Sequence, residues 1–581
     1  MFHLLTERVR LGKRVRFSLP SLALEWKKKW GMAAGFLLIL IFFILPIMKL
    51  LYLSFTSEAG LSMANYTHVL QQAKTWKTIQ NTLYIVGGST LLSVVLGVFT
   101  AWLVAYSDIR GKKIITMLIM LSFIIPSYVA TLSWTQLMSP NGLLAQGLSS
   151  LPGDWKPWNM YSFSGIIFVM GIHHFPLVFM LTVSVLKKIP RDLEWACRMA
   201  GAGRATAFRK MTLPLALPGI ASGGLLAFLA SLDNFGIPAF LGIPADIRVL
   251  STAIYEEIIG FGPSAFARGA TLSVLLGVVA LIGTGIQWLL LRNSKRLETV
   301  QEDDQPRFSL GTFRRITEFS VYGSLLVLIF VPLLSMFLSS FVRAYGLDWN
   351  WQNLTWKNYR FILMDSPKVQ NALVNSLVLA LVTMGVCLIA GTAIAYFRTR
   401  KPSFWTKAME LAVGLPYALP GVVFALAMIF TWMEPIPGWN PGLYGTVSIL
   451  VIAYISRFMI LQVRGSITAM MQVDPSMEEA ASVCGAQGVV KWYYVLLPLL
   501  LPGMLSGAFL VLLTAFTELT VSSLLWSSGS ETVGVVIFNF EQAGATTYST
   551  ALSSLIVMGI FVGMILIYGL QKQWKRKGVR S

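Results

Sequence analysis

Ionisable side chains are scarce in this sequence, so the few that fall within long apolar runs stand out. Asp233-Asn234 and Thr517-Glu518 lie towards the ends of two such runs, and Arg457 lies inside a third. A charged group in hydrocarbon is costly and by default marks a polar pathway or a buried pair. Close to a span end the same residues also serve as structural polar contacts. Acidic Asp233 and Glu518 suit the passage of a cation. No catalytic centre accompanies them, because no cluster of His or carboxylates gathers at one depth. The four histidines give no metal motif. His173 and His174 are adjacent, hence about 100° apart on a helix, and read as pore-facing or packing residues. Of the three cysteines, Cys197 and Cys484 fall in a repeated loop and Cys387 in an apolar run, with no C-x-x-C. The phosphate loop G-x-x-x-x-G-K-[ST] is missing, so the chain does not by itself hydrolyse ATP in that manner.

A second set of carboxylates lies outside the apolar runs, in a stretch that occurs twice. Ile189 to Gly223 aligns without a gap on Val473 to Gly507. Glu194 pairs with Glu478, Ala196 with Ala480, Gly201 with Gly485, and Leu213-Pro214 with Leu497-Pro498. A carboxylate suits the first turn of a helix, and a Gly-Ala seven residues on can stop or turn it. The Leu-Pro is expected to end the segment, since proline does not continue a helix. A short polar helix–turn–helix between apolar spans is most useful as a docking surface for a soluble partner. The internal repeat is the first organising fact of the chain.

The elements that must carry these residues follow from composition. The chain is 55% hydrophobic and only 12% charged, with a mean hydropathy of +0.67. Runs of about twenty apolar residues, enough for a bilayer core of roughly 30 Å, recur throughout. An all-α polytopic membrane protein is expected, with about twelve spans in two homologous halves. The first half has spans near Met32–Tyr52, Asn81–Tyr106, Ile114–Leu137, Gly165–Leu186, Pro218–Leu241 and Gly269–Leu291. The second has Phe319–Phe341, Ala372–Phe397, Met409–Trp432, Tyr444–Val463, Leu501–Trp526 and Thr550–Leu570. The expected organisation is a cytoplasmic tail (1–31), a first half (32–291, core from about 77), a linker (292–316), a second half (317–570, core from about 371) and a tail (571–581). The linker has no apolar periodicity and reads as a cytoplasmic tether.

The two halves align beyond the repeated loop. Asn81-Thr82-Leu83, Gly97, Ala101 and Pro126 match Asn375-Ser376-Leu377, Gly391, Ala395 and Pro420. Gly97/Ala101 and Gly391/Ala395 have a small-xxx-small spacing that permits close helix packing. The net charge of +20 does not require nucleic acid. With both termini inside, roughly 35 basic residues fall in tails, inner loops and linker and about ten outside, as the positive-inside rule expects.

The pattern E-x-A, then Gly-Ala, then Leu-Pro resembles the EAA loop of the permease subunits of binding-protein-dependent ABC importers. Glu479-Ala480-Ala481 supplies the letters themselves; the first copy has Trp195-Ala196-Cys197 there but keeps Glu194, Gly201 and Leu213-Pro214. The resemblance covers both halves. It implies a bacterial inner-membrane permease with no cofactor of its own, two copies of a separate ATP-binding subunit that uses the ATP, one at each loop, and an extracytoplasmic binding protein. It implies that Glu194 and Glu478 cap and orient coupling helices, that Gly201 and Gly485 turn the chain, and that Leu213-Pro214 and Leu497-Pro498 set the entry of the next span. The fused length, LDNFGIPAFLG (Leu232 to Gly242) and STAIYEEI (Ser251 to Ile258) look like ferric-iron permeases, whose relatives carry phosphonates, sugar phosphates or thiamine. A secondary transporter would also show repeats, without needing two polar docking loops.

Overall fold

The computed structural model describes residues 35–57, 60–149, 152, 156–260, 264–292, 303–434 and 442–578. The expected N-terminal tail, residues 293–302 of the linker and the last few residues lie outside that set. One succession of helices is built twice. In the first half it runs α1 (Gly35–Ser54), α2 (Ala73–Tyr106), α3 (Lys112–Ile124), α4 (Ser127–Leu137), α5 (Phe163–Lys188), α6 (Arg191–Met199), α7 (Ala205–Asp233), α8 (Gly236–Leu241), α9 (Leu250–Ile259) and α10 (Ala265–Leu291). In the second it runs α11 (Gly311–Ser339), α12 (Pro367–Arg400), α13 (Phe404–Ala418), α14 (Gly421–Trp432), α15 (Val447–Met471), α16 (Pro475–Val483), α17 (Gly488–Phe516), α18 (Ser522–Leu525), α19 (Val533–Gln542) and α20 (Thr546–Gly578). Thus α1 corresponds to α11, α2 to α12, and so on. The protein is an all-α polytopic membrane protein: among the described residues 10 helices are long and apolar enough to cross a bilayer, or up to 12 if each bent pair is one span.

The bent pairs correct the sequence reading. Ile114–Leu137 and Met409–Trp432 are not straight spans. Each is broken before a proline, into α3 and α4 at 98° and into α13 and α14 at 107°. Ile125 (ψ 128°) and Leu419 (ψ 144°) are extended, because a following proline disfavours the helical conformation. The expected span Pro218–Leu241 breaks as well, at extended Asn234, where α7 gives way to α8.

A second correction concerns Leu213-Pro214 and Leu497-Pro498, which end nothing. The Leu213 N–H reaches back five residues to the Phe208 carbonyl, and the Leu497 N–H to Trp492. The widened turn accommodates a proline ring and its missing N–H. Helix α7 therefore runs unbroken for 29 residues, as does α17.

Close packing rests on small residues. A Cβ on Gly97 of α2 would fall 2.6 Å from Val178 Cβ and 2.9 Å from the Phe175 carbonyl of α5, and one on Gly223 of α7 would fall 2.8 Å from Val178 Cα. In the second half Gly391 faces Gln462, and Gly465 of α15 meets Gly507 of α17 backbone to backbone. Hydroxyls on these helices donate within the protein, Thr82 to the Thr78 carbonyl at 2.7 Å and Ser93 across to Gly171 at 2.9 Å, as a low-dielectric interior demands.

The first helix of each half bridges to the other half. Helix α1 touches α10 of its own half and packs on the second: Phe42 stacks on Trp432, Phe36 meets Trp405 edge-on, and Lys49 pairs with Glu434 at 3.1 Å. Helix α11 packs on the first half, where Tyr322 donates to the Arg110 carbonyl at 3.0 Å and Glu318 accepts from the Arg110 amide at 2.9 Å.

Candidate functional site

Helices α6 and α16 form two turns of one design, at the ends of α2 and α12. Gly201 has φ +86° and Gly485 φ +87°. Each lies just past its helix in the left-handed region where a side chain is strained. The Ala202 N–H returns to the Cys197 carbonyl and the Gly201 N–H to Arg198; Ala486 returns to Ala481 and Gly485 to Ser482. Carbonyls of Ala196 and Ala480 accept from Ala200 and Cys484. The small residues thus sit in the turn that the chain must close.

The carboxylates do not cap. In α16 the cap is Asp474, whose Oδ1 accepts from the Ser476 amide at 2.8 Å and whose carboxyl that amide holds below its usual range. Glu478 is buried and takes Arg400 Nε at 2.5 Å, Lys491 at 3.5 Å and the Tyr396 hydroxyl at 3.4 Å. Glu194 instead takes Arg307 Nη1 at 3.3 Å. Both glutamates therefore tie a turn to what lies beneath it, and neither caps its helix, which corrects the expected capping role. Glu479 faces away on the exposed side.

Sequence reading missed the outer face of the turns. Met199 and Val483 occupy equivalent places, each 88% exposed. Leu193 and Met477 are likewise equivalent and exposed. Apolar side chains presented in matched pairs on polar helices are the mark of a contact surface. The gapless alignment held that signal, but only as four apolar letters without a face.

Deeper in the molecule the expected pathway residues divide into two groups. Asp233 and Arg457 come together across the two halves, with Arg457 Nη2 at 2.9 and 2.7 Å from the two carboxylate oxygens. Arg457 Nη1 donates to the Leu419 carbonyl at 3.2 Å, and Asp233 also accepts from the Gly421 amide at the start of α14. The acid thus meets a helix N-terminus and a guanidinium at once. Gly421 leaves room for the guanidinium, since a Cβ there would lie 3.0 Å from Arg457 Nη2. Asp233 is consequently a paired carboxylate, which removes the support a free acid there would lend to passage of a cation. Asn234 and Glu518 do a local job: each side-chain oxygen accepts an amide three residues on, from Ile237 at 2.9 Å and Val521 at 2.6 Å. The Thr517 hydroxyl donates to the Leu513 carbonyl of its own helix at 2.9 Å. His173, at the place in α5 that Arg457 holds in α15, is buried; His174 lies 3.0 Å from the Ser231 hydroxyl. Among the described residues no group of His, Cys, Asp or Glu could hold a metal.

The aligned Asn-Thr and Asn-Ser pairs also acquire a purpose. Asn81 donates to the Arg248 carbonyl at 3.0 Å and Thr82 accepts from the Leu250 amide at 2.9 Å. Asn375 donates to the Glu531 carbonyl at 3.1 Å and Ser376 accepts from Val533 at 2.9 Å. In both halves α2 or α12 clamps the entry to α9 or α19.

Residues 93–297 and 385–577 match the family described as binding-protein-dependent transport system inner membrane component. The chain belongs to that family. Both turns, α6 and α16, lie within the matched stretches, so this importer permease carries the family unit twice. The ferric transport system permease protein FbpB of Actinobacillus pleuropneumoniae is 25% identical over 539 residues, 92% of this chain and 76% of its own length. A putative ferric transport system permease protein FbpB 1 of Haemophilus influenzae is 26% identical over 504 residues, 85% of this chain and 77% of its own. The molybdenum transport system permease protein ModB of Escherichia coli is 30% identical over 218 residues, 37% of this chain and 93% of its own.

Proposed function

We propose that this permease is the membrane conduit of an ATP-driven importer of ferric iron, with one ATP-binding subunit docked at α6 and one at α16. The observation that carries the docking is the likeness of the two turns: the same positive-φ glycine, a locked glutamate, and equivalent exposed apolar residues. An extracytoplasmic binding protein delivers the substrate. The favoured topology places both termini and both turns in the cytoplasm, with halves at 32–291 and 317–570 and a linker between.

The geometry suggests how a push at the surface reaches the pathway. Each turn continues into a long unbroken helix, roughly 44 Å at 1.5 Å per residue. At its far end α7 carries Asp233, which holds Arg457 of the other half. A tilt of α6 on closure of the ATP-binding subunits would therefore strain a contact between halves, at the level where α14 begins. A tilt carried along a continuous helix in this way is what alternating access needs. Asp233, Asn234, Arg457, Thr517 and Glu518 remain the candidates for lining the path, as gate groups more than as ligands.

Iron is favoured because both ferric permeases match most of this chain, whereas the molybdenum permease matches 218 residues. Reconstitution with the ATP-binding subunit and the binding protein tests the reading. Ferric iron should accumulate only with ATP, and molybdate, sulfate, organophosphates and thiamine should not compete. Uptake of one of those instead would change the substrate but keep the class. ATP hydrolysis by this chain alone would end the class. Reporter fusions after Arg292 and Lys572 should both report cytoplasm.

A further inference from the structure

Helix α12 ends in Arg400, and its counterpart α2 ends in Tyr106, with no guanidinium to offer. A guanidinium is nevertheless there. Arg307, from the stretch between the halves, bonds the Ile189 carbonyl and Glu194, just as Arg400 bonds the Val473 carbonyl and Glu478. Ile189 and Val473 are equivalent, as are Glu194 and Glu478. The Arg307 guanidinium lies over the Tyr106 ring, 4.0 Å from its centre, and the Arg307 and Phe308 amides both donate to the Tyr106 carbonyl. The position that lacks the arginine is the one that receives it.

The segment bringing Arg307 is fastened along its length. Arg191 of α6 holds Asp303 with two bonds, at 2.6 and 3.2 Å, and Lys187 holds Asp304 at 2.6 Å. Phe308 stacks on Trp102. Asp108 takes the Ser309 hydroxyl at 3.0 Å and the Leu310 amide at 2.9 Å. Residues 303–316 are therefore not the free tether expected from composition. Their core, Arg307-Phe308-Ser309-Leu310, recurs as Arg16-Phe17-Ser18-Leu19 ahead of the first span. The first copy lies outside the described residues, but its spelling marks the four residues as the lead-in of the repeated unit.

We propose that Arg307 is the positioning residue of the first docking turn, standing in for Arg400, and that residues 303–310 are a working part of that turn. The proposal rests on the reading of α6 and α16 as ATPase-docking turns. It means that α6 is held by the segment that leads into α11, so movement of either half is felt at the first turn.

The test compares Arg307→Ala, Arg400→Ala and the double variant Tyr106→Arg/Arg307→Ala in the reconstituted complex. Membrane abundance and substrate uptake per ATP hydrolysed are read for each. Arg307→Ala and Arg400→Ala should each lower that ratio by about tenfold, the scale of a lost charge-assisted bond. The double variant, with its arginine moved to the helix as in the second half, should recover most of it. Uncoupling by Arg400→Ala but not by Arg307→Ala overturns the proposal and leaves the docking reading intact. Coupling untouched by both overturns the docking reading itself. Should Arg307→Ala fail to accumulate, the double variant decides: restored abundance and uptake support the substitution of one arginine by the other, and an unrestored protein refutes it.

Discussion

The two turns at α6 and α16 and the two sides of the Asp233–Arg457 ion pair diverge in opposite ways. At the turns the residues differ between halves while the chemistry is kept: a guanidinium meets a glutamate and a backbone carbonyl, whether it comes from α12 or from the segment before α11. Around the ion pair the positions are kept and the chemistry is not. Arg457 has His173 as its counterpart and Asp233 has Thr517, so the charge pair exists on one side only. The difference teaches where twofold likeness matters. On the proposed function, two equal ATP-binding subunits would need two equal seats, whereas a single substrate path would have no use for two identical latches.

The largest expected effect breaks the latch. Asp233→Ala leaves Arg457, 4% exposed, without its carboxylate and with the Leu419 carbonyl; because Asp233 is itself 38% exposed, the loss in thermal unfolding in detergent should be about 3 kcal/mol, the low end for a buried pair. Its counterpart Thr517→Ala should cost about 1 kcal/mol or less. Equal losses would show that the asymmetry is only one of spelling. Next come the turn glycines. Gly201→Val and Gly485→Val each force a side chain to φ near +86° or +87°, a local strain of about 1–3 kcal/mol. No neighbour within 4 Å adds a clash at either site. The protein should still insert, and uptake should uncouple from hydrolysis to the same degree in both. Normal uptake at normal abundance for both would remove the glycines from coupling.

Smaller effects sharpen the comparison in the spans. Gly97→Ala would place its Cβ 2.6 Å from the Val178 Cβ and 2.9 Å from the Phe175 carbonyl, whereas Gly391→Ala would lie 3.0 Å or more from Gln462 and 3.4 Å from the Val463 nitrogen. The first should cost about 1–3 kcal/mol by overpacking and the second measurably less; the reverse order would mean that α2 and α5 have more freedom than their contacts imply. Smallest are Thr82→Ala and Ser376→Ala, each removing one acceptor for an amide at about 1 kcal/mol. Matched Tm shifts are expected, since the bonds match at 2.9 Å, and a marked inequality would show that the two clamps are not equivalent.

Much of this was legible in the sequence. Apolar runs gave the helices, and the ungapped repeat gave both turns, with Gly201 and Gly485 at the residues that need positive φ. What escaped was long-range or context-dependent. Pro126 and Pro420 were visible, but a proline that bends a span by about 100° is spelt like Pro214, which a widened turn absorbs. The Asp233–Arg457 pair joins residues 224 apart, and no local pattern pairs them. The charged stretch before α11 looked solvated because its partners, Arg191, Lys187 and Asp108, are distant in sequence and polar; a docked polar strand has no apolar period to betray it.

The reach of each first helix into the other half has a consequence for how the protein is made. Lys49 and Glu434 are 385 residues apart. At about 5–20 residues per second, α1 leaves the ribosome roughly 20–80 s before its partner α14 exists. For that interval the earliest-born span has bilayer where one of its final neighbours will be, and the first half cannot complete its contacts. Maturation is then expected to include a late closure of α1 on α13 and α14. A fragment ending in the linker should be recognised by quality control as an orphan, however well its own spans insert.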